Sequence, residues 1–349
     1  MKASIKIEQV IRETPDAITL ELEQHRMIER YQPGQFLNFF LDIDGREVVR
    51  QYSFSSTALL NETPKVTIKR VNGGLVSNHL IDTLNPGDSI VVSAPGGRFT
   101  TSFGEHRHVL LLAGGSGITP LFSLLKSILV AEPKSQVTLL YASKTYESII
   151  FREELDALHQ KYDKFHLKYF LSSQNEVVYT SSDLFYRRVR EADFQDYLDE
   201  FDVYSPEIFL CGPESFMSFS AETLNKLGVT PEGIKTEVFS GYEKIGSDHN
   251  QPNHNQPNQS QVQIKNIDGT TISFLADQNK PVLQSALEAG IRLPHSCKEA
   301  MCGTCRIKLR SGKISMKANY ALQDDEVDSG YVLLCSGFPE SDILDMMYG

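Results

Sequence analysis

The chain has 349 residues, of which 40% are hydrophobic, and its formal net charge is −11. This length predicts about two or three domains, each with enough apolar residues to bury a core. The excess of acidic residues argues against nucleic acid or an anionic membrane as the main partner, because both are negatively charged.

Residues 1 to 104 predict a small antiparallel β-barrel. Alternation of apolar and polar residues with period two marks strands at Ser4–Glu8, Ala17–Leu22 and Lys65–Lys69. Turn signals with glycine and proline separate such segments at 33–34, 85–88 and 95–97. Short strands with this punctuation are typical of barrels.

Residues 105 to 240 alternate between strands and helices, which predicts an α/β nucleotide-binding domain of Rossmann-like type. Apolar runs typical of strands covered on both faces lie at His108–Ala113, Val137–Ala142 and Glu207–Leu210. Helical periodicity is found at Pro120–Val130, Ile149–Lys161 and Ser215–Leu227. The long apolar stretch 109–130 is interrupted by glycines and Pro120, so it predicts a strand, a turn and a helix instead of a membrane span. The acidic, aromatic stretch 181–205 fits no pattern that we recognise.

Residues 241 to 260 predict a flexible linker, and residues 261 to 349 a third domain. The linker contains the sequence HNQPN twice, at 249–253 and 254–258. It is polar and cannot bury a core, so a tether is favoured over weak metal binding by its two histidines. The third domain is predicted to open with strands and a helix, at Val262–Lys265, Thr270–Phe274 and Pro281–Ala289.

Cysteines in the third domain follow the pattern C-x4-C-x2-C and then a long gap. This spacing is typical of a plant-type [2Fe–2S] cluster with the ligands Cys297, Cys302, Cys305 and Cys335. Three thiolates on one tight loop can wrap the irons from one side, and Gly303 keeps that backbone close. The alternatives are a zinc site, which favours paired C-x2-C units, and unrelated buried thiols.

The remaining cysteine, Cys211, has no evident disulfide partner. Residues 1–6 also lack the apolar core of a signal peptide. Both observations predict a reducing compartment, the cytoplasm.

The tetrapeptide Arg50-Gln51-Tyr52-Ser53 closes a strand pattern and fits the motif R-x-Y-S. In this motif the chain resembles the ferredoxin–NADP reductase superfamily. The resemblance implies that Arg50 pairs with the FAD pyrophosphate, that Tyr52 stacks on the isoalloxazine and that Ser53 hydrogen-bonds near N5. A guanidinium is a suitable bidentate clamp for an anion.

The segment Gly73–Ser77 (GGLVS) follows a strand and precedes a short predicted helix at 78–82. It resembles the second flavin element of the superfamily, although an ordinary glycine hairpin has a similar sequence. The resemblance implies FAD diphosphate contacts from Gly74, Leu75, Val76 and Ser77. A helix N-terminus suits such an anion.

The loop Gly114–Pro120 (GGSGITP) joins a predicted strand to a helix and resembles the nicotinamide-nucleotide loop of the superfamily. The resemblance implies coenzyme contacts from Gly114, Gly115, Gly117 and Thr119. Glycines there let the backbone approach a pyrophosphate.

The turn CGP at 211–213 resembles the element beside the nicotinamide ring, with Gly212 and Pro213 as coenzyme contacts. The segment EVF at 237–239 resembles the glutamate and the flavin-covering aromatic residue of the superfamily, here Phe239. Ser53, Cys211 and Glu237 would then surround the point of hydride transfer as catalytic residues. The alternative for Cys211 is a small buried residue.

Coenzyme choice depends on the end of the second strand of the nucleotide domain. Members of the superfamily that prefer NADH often have an acid there for the ribose hydroxyls. In this chain the position has Ser143 and Lys144, with Arg152 nearby, which favours a 2′-phosphate and therefore NADPH over NADH.

The resemblance covers the whole chain in the order flavin barrel, nucleotide domain, tether and β-grasp ferredoxin. This order is similar to that of the reductases of phenylacetyl-CoA epoxidases, which also share the segments at 69–80, 148–155 and 316–326, and of ketosteroid 9α-hydroxylases. It implies an enzyme that passes electrons from NAD(P)H to FAD, to [2Fe–2S] and to a partner. The expected partner is a diiron epoxidase, with a Rieske hydroxylase, a desaturase or a hybrid-cluster protein as alternatives. A free-standing diaphorase and a non-catalytic carrier or redox sensor are the remaining alternatives.

Overall fold

The computed structural model describes most of the chain as two compact units, Met1–Gly241 and Tyr242–Gly349. The described residues are 2–43, 45–104, 106–173, 179, 181–201, 206–230, 233–237, 239, 259–265, 271–291, 293–295, 298, 300, 303, 305–319, 321–322 and 324–348. Among these residues, no helix combines the length and the apolar character needed to cross a membrane. The predicted linker lies outside the described residues up to position 258, and its last two positions belong to a strand.

The first part of unit one is an antiparallel barrel. Its elements are β1 (Lys2–Thr14), β2 (Ala17–Leu22), β3 (Phe36–Ile43), β4 (Arg46–Ser53), β5 (Lys65–Lys69), α1 (Leu75–Thr83) and β6 (Ser89–Ser93). The strand order is β4-β3-β6-β1-β2-β5. An antiparallel bridge between Phe54 and Val66 joins the two ends of this sheet, so the barrel closes.

The barrel core contains the inward side of each alternating strand, as the period-two pattern predicts. Ile5, Ile18 and Val66 are among its buried members. β2 and β5 have the predicted bounds, whereas α1 begins three residues before the predicted helix. Gly74, which precedes α1, has extended backbone angles, so the helix starts directly after the glycines.

The second part of unit one is a parallel sheet with helices on both faces. Its strands are β7 (His108–Gly114), β8 (Gln136–Ser143), β9 (Phe165–Leu171), β10 (Leu184–Phe185), β11 (Glu207–Cys211) and β12 (Ile234–Glu237). Its helices are α2 (Ile118–Ala131), α3 (Arg152–Lys161), α4 (Glu191–Phe201) and α5 (Glu214–Lys226). The order β10-β9-β8-β7-β11-β12 reverses direction at β7, and such a switch point opens a ligand crevice at the carboxyl ends of the strands.

The strands of this sheet are covered on both faces, as their apolar runs predict. Leu111 of β7 lies in one core cluster, and Leu110 and Leu112 lie in another. α3 begins three residues later than predicted. Phe151, directly before it, has left-handed backbone angles (φ 59°, ψ 28°), so the right-handed helix cannot include Phe151 or extend past it toward the N-terminus.

Unit two is a mixed sheet of the β-grasp type. Its elements are β13 (Gln259–Lys265), β14 (Thr271–Asp277), α6 (Val282–Glu288), β15 (Arg306–Ser311), β16 (Ile314–Met316), α7 (Asp324–Asp328), β17 (Tyr331–Leu333), β18 (Gly337–Pro339) and β19 (Ile343–Met347). The main sheet has the order β14-β13-β19-β15-β17, with β13 and β19 parallel. α6 packs its buried side chains on the core that this sheet forms.

Candidate functional site

The polar centre of unit one lies where the barrel meets the nucleotide domain. Ser53, at the end of β4, donates a hydrogen bond to Glu237 Oε2 at 3.1 Å. Glu237 ends β12 and is paired in register with Cys211, which ends β11. The structure therefore brings together Ser53, Cys211 and Glu237, from strands that are distant in sequence.

The electrostatics of this centre favour a neutral carboxyl group. Desolvation by burial raises the pKa of Glu237 to about 8, and the hydrogen bond from Ser53 opposes part of that rise. Burial, together with the nearby carboxylate of Glu237, raises the pKa of the Cys211 thiol well above its ordinary value. Near neutral pH, Glu237 therefore holds a proton, and Cys211 is a neutral thiol instead of a nucleophile.

A buried row of hydroxyl groups connects the barrel to α2. Ser123 Oγ donates to the carbonyl oxygen of Ser56 at 2.5 Å, and the hydroxyls of Thr57 and Ser127 lie 2.6 Å apart. All of these side chains are buried. Because buried polar groups are costly when unpaired, this row fixes the two domains and so the position of Ser53. No motif in the sequence pointed to this row, although serines four residues apart in a mostly apolar helix are a detectable signal.

Close backbone packing explains several of the predicted coenzyme glycines. A β-carbon on Gly117 would lie 2.2 Å from the carbonyl oxygen of Cys211, and one on Gly114 would lie 2.8 Å from the Pro213 ring. A β-carbon on Gly212 would lie 2.9 Å from the Cα of Gly114. The loops after β7 and β11 are therefore in contact. Their glycines allow this close packing because they have no β-carbon, and packing alone requires them even without a bound phosphate.

Gly115 differs from its neighbours. Its φ is +52°, and a β-carbon there would meet nothing within 4 Å. It follows β7 and begins a short 3-10 turn, Gly115–Gly117, that leads into α2, whose first turn has no side-chain cap. Thr119 is buried and donates instead to the carbonyl oxygen of Ser116 at 3.0 Å. The backbone at Gly115 and the α2 N-terminus therefore fit an anionic coenzyme.

The predicted flavin residues lie on β4 and at the start of α1. Tyr52 is half-buried, with its ring 5.0 Å from that of Phe39, and burial raises the pKa of its phenol. Arg50 donates to the carbonyl oxygen of Val49 at 2.9 Å. A half-buried aromatic face next to an arginine fits the ring and the phosphates of FAD.

The residues at the α1 N-terminus complete this surface. Gly74 precedes the helix, and Leu75 and Val76 form its first turn, which has no side-chain cap. Ser77 Oγ accepts a hydrogen bond from the amide of Val71 at 3.0 Å, which leaves its own proton to donate elsewhere. The amides of this turn fit a diphosphate by the same argument as those of α2.

The predicted coenzyme-selecting residues lie at the end of β8. Ser148 Oγ donates to the carbonyl oxygen of Thr145, so the 2.8 Å contact between the hydroxyls of Ser143 and Ser148 uses the proton of Ser143. Lys144 is exposed. Arg152 donates to the hydroxyl of Tyr146 at 2.7 Å.

Phe239 is partly buried and packs on the core cluster of the nucleotide domain that contains Cys211. It follows β12 by two residues and so lies near Glu237 in the chain. This position fits an aromatic residue beside the flavin, at the carboxyl edge of the sheet.

The cysteine site in unit two is described for Cys305 and Cys335, while Cys297 and Cys302 lie outside the described residues. The two sulfur atoms are 3.2 Å apart, and both side chains are buried. The amide of Ala300 donates to the Cys335 sulfur at 3.2 Å. Thiolates about 2.3 Å from one tetrahedral metal lie less than about 4 Å apart, so this pair fits ligation of a single iron.

Comparison with known proteins identifies all three domains. The oxidoreductase FAD-binding domain family matches residues 4–101, and the oxidoreductase NAD-binding domain family matches residues 111–222. The 2Fe-2S iron-sulfur cluster binding domain family matches residues 265–340.

Relatives match along nearly the whole chain. A subunit of the 1,2-phenylacetyl-CoA epoxidase of Escherichia coli (strain K12) is 31% identical, over 96% of this chain and 94% of that protein. The ferredoxin reductase component of 3-ketosteroid-9-alpha-monooxygenase from Mycobacterium tuberculosis (strain CDC 1551 / Oshkosh) is 32% identical, over 99% of this chain and 95% of its own.

A solved structure supports the same fold. Phthalate dioxygenase reductase superposes with a TM-score of 0.57 at 21% identity, over 99% of this chain and 98% of that one. The chain belongs to the ferredoxin–NADP reductase superfamily, in the family of reductases that join an FAD-binding domain, an NAD-binding domain and a [2Fe–2S] ferredoxin domain.

Proposed function

We propose that this NAD(P)H-dependent oxidoreductase delivers single electrons to a terminal oxygenase, with a diiron epoxidase of the phenylacetyl-CoA type as the first candidate. The contact between Ser53 and Glu237 carries the proposal, because it places a proton-holding pair where the flavin and nicotinamide elements meet. When bound, FAD supplies the conversion of a hydride into single electrons, and the [2Fe–2S] cluster supplies a one-electron carrier at about −400 mV.

Residues of unit one have different proposed roles around the point of hydride transfer. Ser53 and the protonated Glu237 hold a proton beside the reacting atoms and orient it. Cys211, as a buried neutral thiol, would line the nicotinamide site without competing as a nucleophile. Phe239 would shield the flavin from water in the absence of nicotinamide.

Cysteine ligation by Cys297, Cys302, Cys305 and Cys335 is part of the proposal. The 3.2 Å separation of the Cys305 and Cys335 sulfurs supports it, because two thiolates bound to one metal ion lie less than about 4 Å apart. The cysteine content of the chain also supports a reducing compartment such as the cytoplasm.

NADPH is the proposed coenzyme. Lys144 is exposed at the carboxyl end of β8, and no acid stands at that strand end to bind a free 2′-hydroxyl. The hydroxyl proton of Ser143 is engaged by Ser148, so Lys144 and Arg152 would carry most of the attraction for a 2′-phosphate.

The identity of the acceptor is tested by reconstitution. The purified protein, with FAD and cluster, is mixed with NADPH and with one oxygenase component at a time: a diiron epoxidase, a Rieske hydroxylase or a fatty-acid desaturase. We expect saturable NADPH oxidation coupled to product with the diiron component. Equal, unsaturable rates with every component would contradict a dedicated partner and favour a general diaphorase.

A further inference from the structure

Tyr348 is a partly buried tyrosine without an assigned role. It follows β19, and its amide donates to the carbonyl oxygen of Lys265 at 3.1 Å. Its hydroxyl is buried, yet it has no hydrogen-bond partner among the described residues. A buried hydroxyl is normally paired, so this one is available to donate to a nearby acceptor.

The strand register places Tyr348 beside a cluster cysteine. β15 and β19 are antiparallel, with Lys308 opposite Met347. Continuing that register sets Tyr348 opposite Ile307, so Cys305 is its diagonal neighbour on the same face. Diagonal neighbours lie about 7–8 Å apart, with their Cβ atoms somewhat closer, which is within reach of an aromatic side chain.

Packing agrees with this placement. The Tyr348 ring packs on the core cluster that contains both Cys305 and Cys335. A phenol carries its proton near neutral pH, so the Tyr348 hydroxyl can act as a hydrogen-bond donor. A cysteine sulfur of this core is therefore a candidate acceptor.

We propose that the Tyr348 hydroxyl donates a hydrogen bond to the Cys305 thiolate in the loaded protein and raises the reduction potential of the cluster. Reduction adds one negative charge to the cluster and its four thiolates. A donor to sulfur stabilises the reduced form more than the oxidised form, and hydrogen bonds to sulfur are one of the factors that set such potentials. Tyr348 is thus a tuning residue, and it would ease transfer of an electron from the flavin onto the cluster.

The experiment is redox potentiometry of the complete protein, followed by EPR of the reduced cluster. We expect Tyr348→Phe to keep the cluster and to shift the one-electron equilibrium about tenfold toward the oxidised form, which is about 59 mV more negative. The control is Tyr331→Phe, because Tyr331 also packs on this core but is paired in register with Lys308, and its ring lies under Arg306 and Lys308. The control should leave the potential unchanged. Equal potentials for Tyr348→Phe and the wild type would overturn the proposal.

A second variant covers the case in which Tyr348→Phe does not assemble the cluster. Site-specific 3-fluorotyrosine at position 348 keeps the ring and makes the phenol a stronger donor. We expect the potential to rise, opposite in sign to the effect of phenylalanine. An unchanged or lowered potential would contradict the hydrogen bond.

The inference depends on the proposed ligation by Cys305, and the two can fail separately. If Cys305 is not a ligand, Cys305→Ser leaves the EPR signal of the cluster intact. If ligation holds and Tyr348 has no role, Cys305→Ser alters the signal, while the Tyr348 variants leave the potential unchanged.

Discussion

Ser53 donates a hydrogen bond to Glu237 across 184 positions of sequence, joining the last residue of β4 to the last residue of β12. One partner belongs to the barrel and the other to the nucleotide sheet. Substitutions in this pair therefore test both how the two domains are held together and the chemistry at their junction.

Glu237 makes stability depend on pH. Its pKa is about 8 in the folded protein and 4.5 ordinarily. Between these values the unfolded chain has lost a proton that the folded protein still holds, so stability falls as the pH rises from about 4.5 to about 8 and then levels off. Glu237→Gln removes this titration. As the pH rises from about 4.5 to about 8, the difference in melting temperature, variant minus wild type, should therefore become more positive.

The measurement is thermal unfolding of the FAD-loaded protein at a series of pH values. Glu8→Gln serves as the control, because it makes the same exchange at an exposed carboxylate of β1. A difference between Glu237→Gln and wild type that stays constant across that pH window would contradict a raised pKa for Glu237.

Neighbouring glycines of the nucleotide loop should respond differently to alanine. In Gly117→Ala the new β-carbon would lie 2.2 Å from the Cys211 carbonyl oxygen, so the backbone must move, at a cost of about 1–3 kcal/mol. In Gly115→Ala the methyl group enters open space, and only the left-handed backbone costs about 1–2 kcal/mol. For each variant, the loss of NADPH affinity is compared with the loss of unfolding free energy. We expect this ratio to be larger for Gly115→Ala than for Gly117→Ala.

Urea unfolding and titration of NADP⁺ into the purified variants check this comparison. If packing were irrelevant, Gly117→Ala would unfold at the wild-type urea concentration. If both variants lost affinity only in proportion to stability, Gly115 would have no special role at the coenzyme phosphate.

Much of the fold follows from local sequence patterns. Period-two alternation predicted the bounds of β2 and β5, because one side of each strand supplies the apolar side chains of the barrel core. Polar residues on the other side, such as Thr19 and Thr67, are buried too and hydrogen-bond to each other. The stretch 181–205 was not recognised, although Phe194, Tyr197 and Leu198 have the spacing of a helix that packs on a core. Acidic residues between them hid the pattern of α4, which is part of the nucleotide domain.

The candidate site was harder to predict from residues alone. No spacing rule connects Ser53 to Glu237, because their contact depends on how two different sheets of the same unit meet. Only the family resemblance named both. Tyr348 was missed for a similar reason, since the significance of its unpaired hydroxyl depends on the register of β15 and β19.

Cys335 is expected to be required for the cluster. Cys335→Ser removes one of the buried sulfurs that lie 3.2 Å apart, so the [2Fe–2S] signal should be lost or weakened while FAD stays bound in the other unit. Visible absorption and EPR of the reduced protein measure both cofactors. Cys211→Ala is the matched control and should keep the cluster, and an unaltered rhombic signal in Cys335→Ser would refute the assignment.

Lys144 is expected to select the coenzyme. A charge-assisted contact with a 2′-phosphate contributes about 1.5–3 kcal/mol, so Lys144→Glu should weaken NADPH at least about tenfold more than NADH. Steady-state kinetics with ferricyanide give kcat/KM for each coenzyme. The control is Lys134→Glu, which makes the same charge change at an exposed position just before β8, at the end of that strand opposite to Lys144. Equal losses for both coenzymes in Lys144→Glu would reject selection by this residue.

The two compact units predict separable half-reactions. A chain ending at Ile245 contains all of the first unit, Met1–Gly241, and so should bind FAD and reduce ferricyanide with NADPH at a rate near that of the full chain. It should lose most cytochrome c reduction and all delivery to an oxygenase, because the one-electron carrier is absent. The full-length Cys335→Ser variant separates loss of the cluster from loss of the whole domain, and it should show the same pattern. Undiminished turnover of the oxygenase by the shortened chain would mean that electrons leave from the flavin directly, and the proposed path through the ferredoxin domain would be wrong.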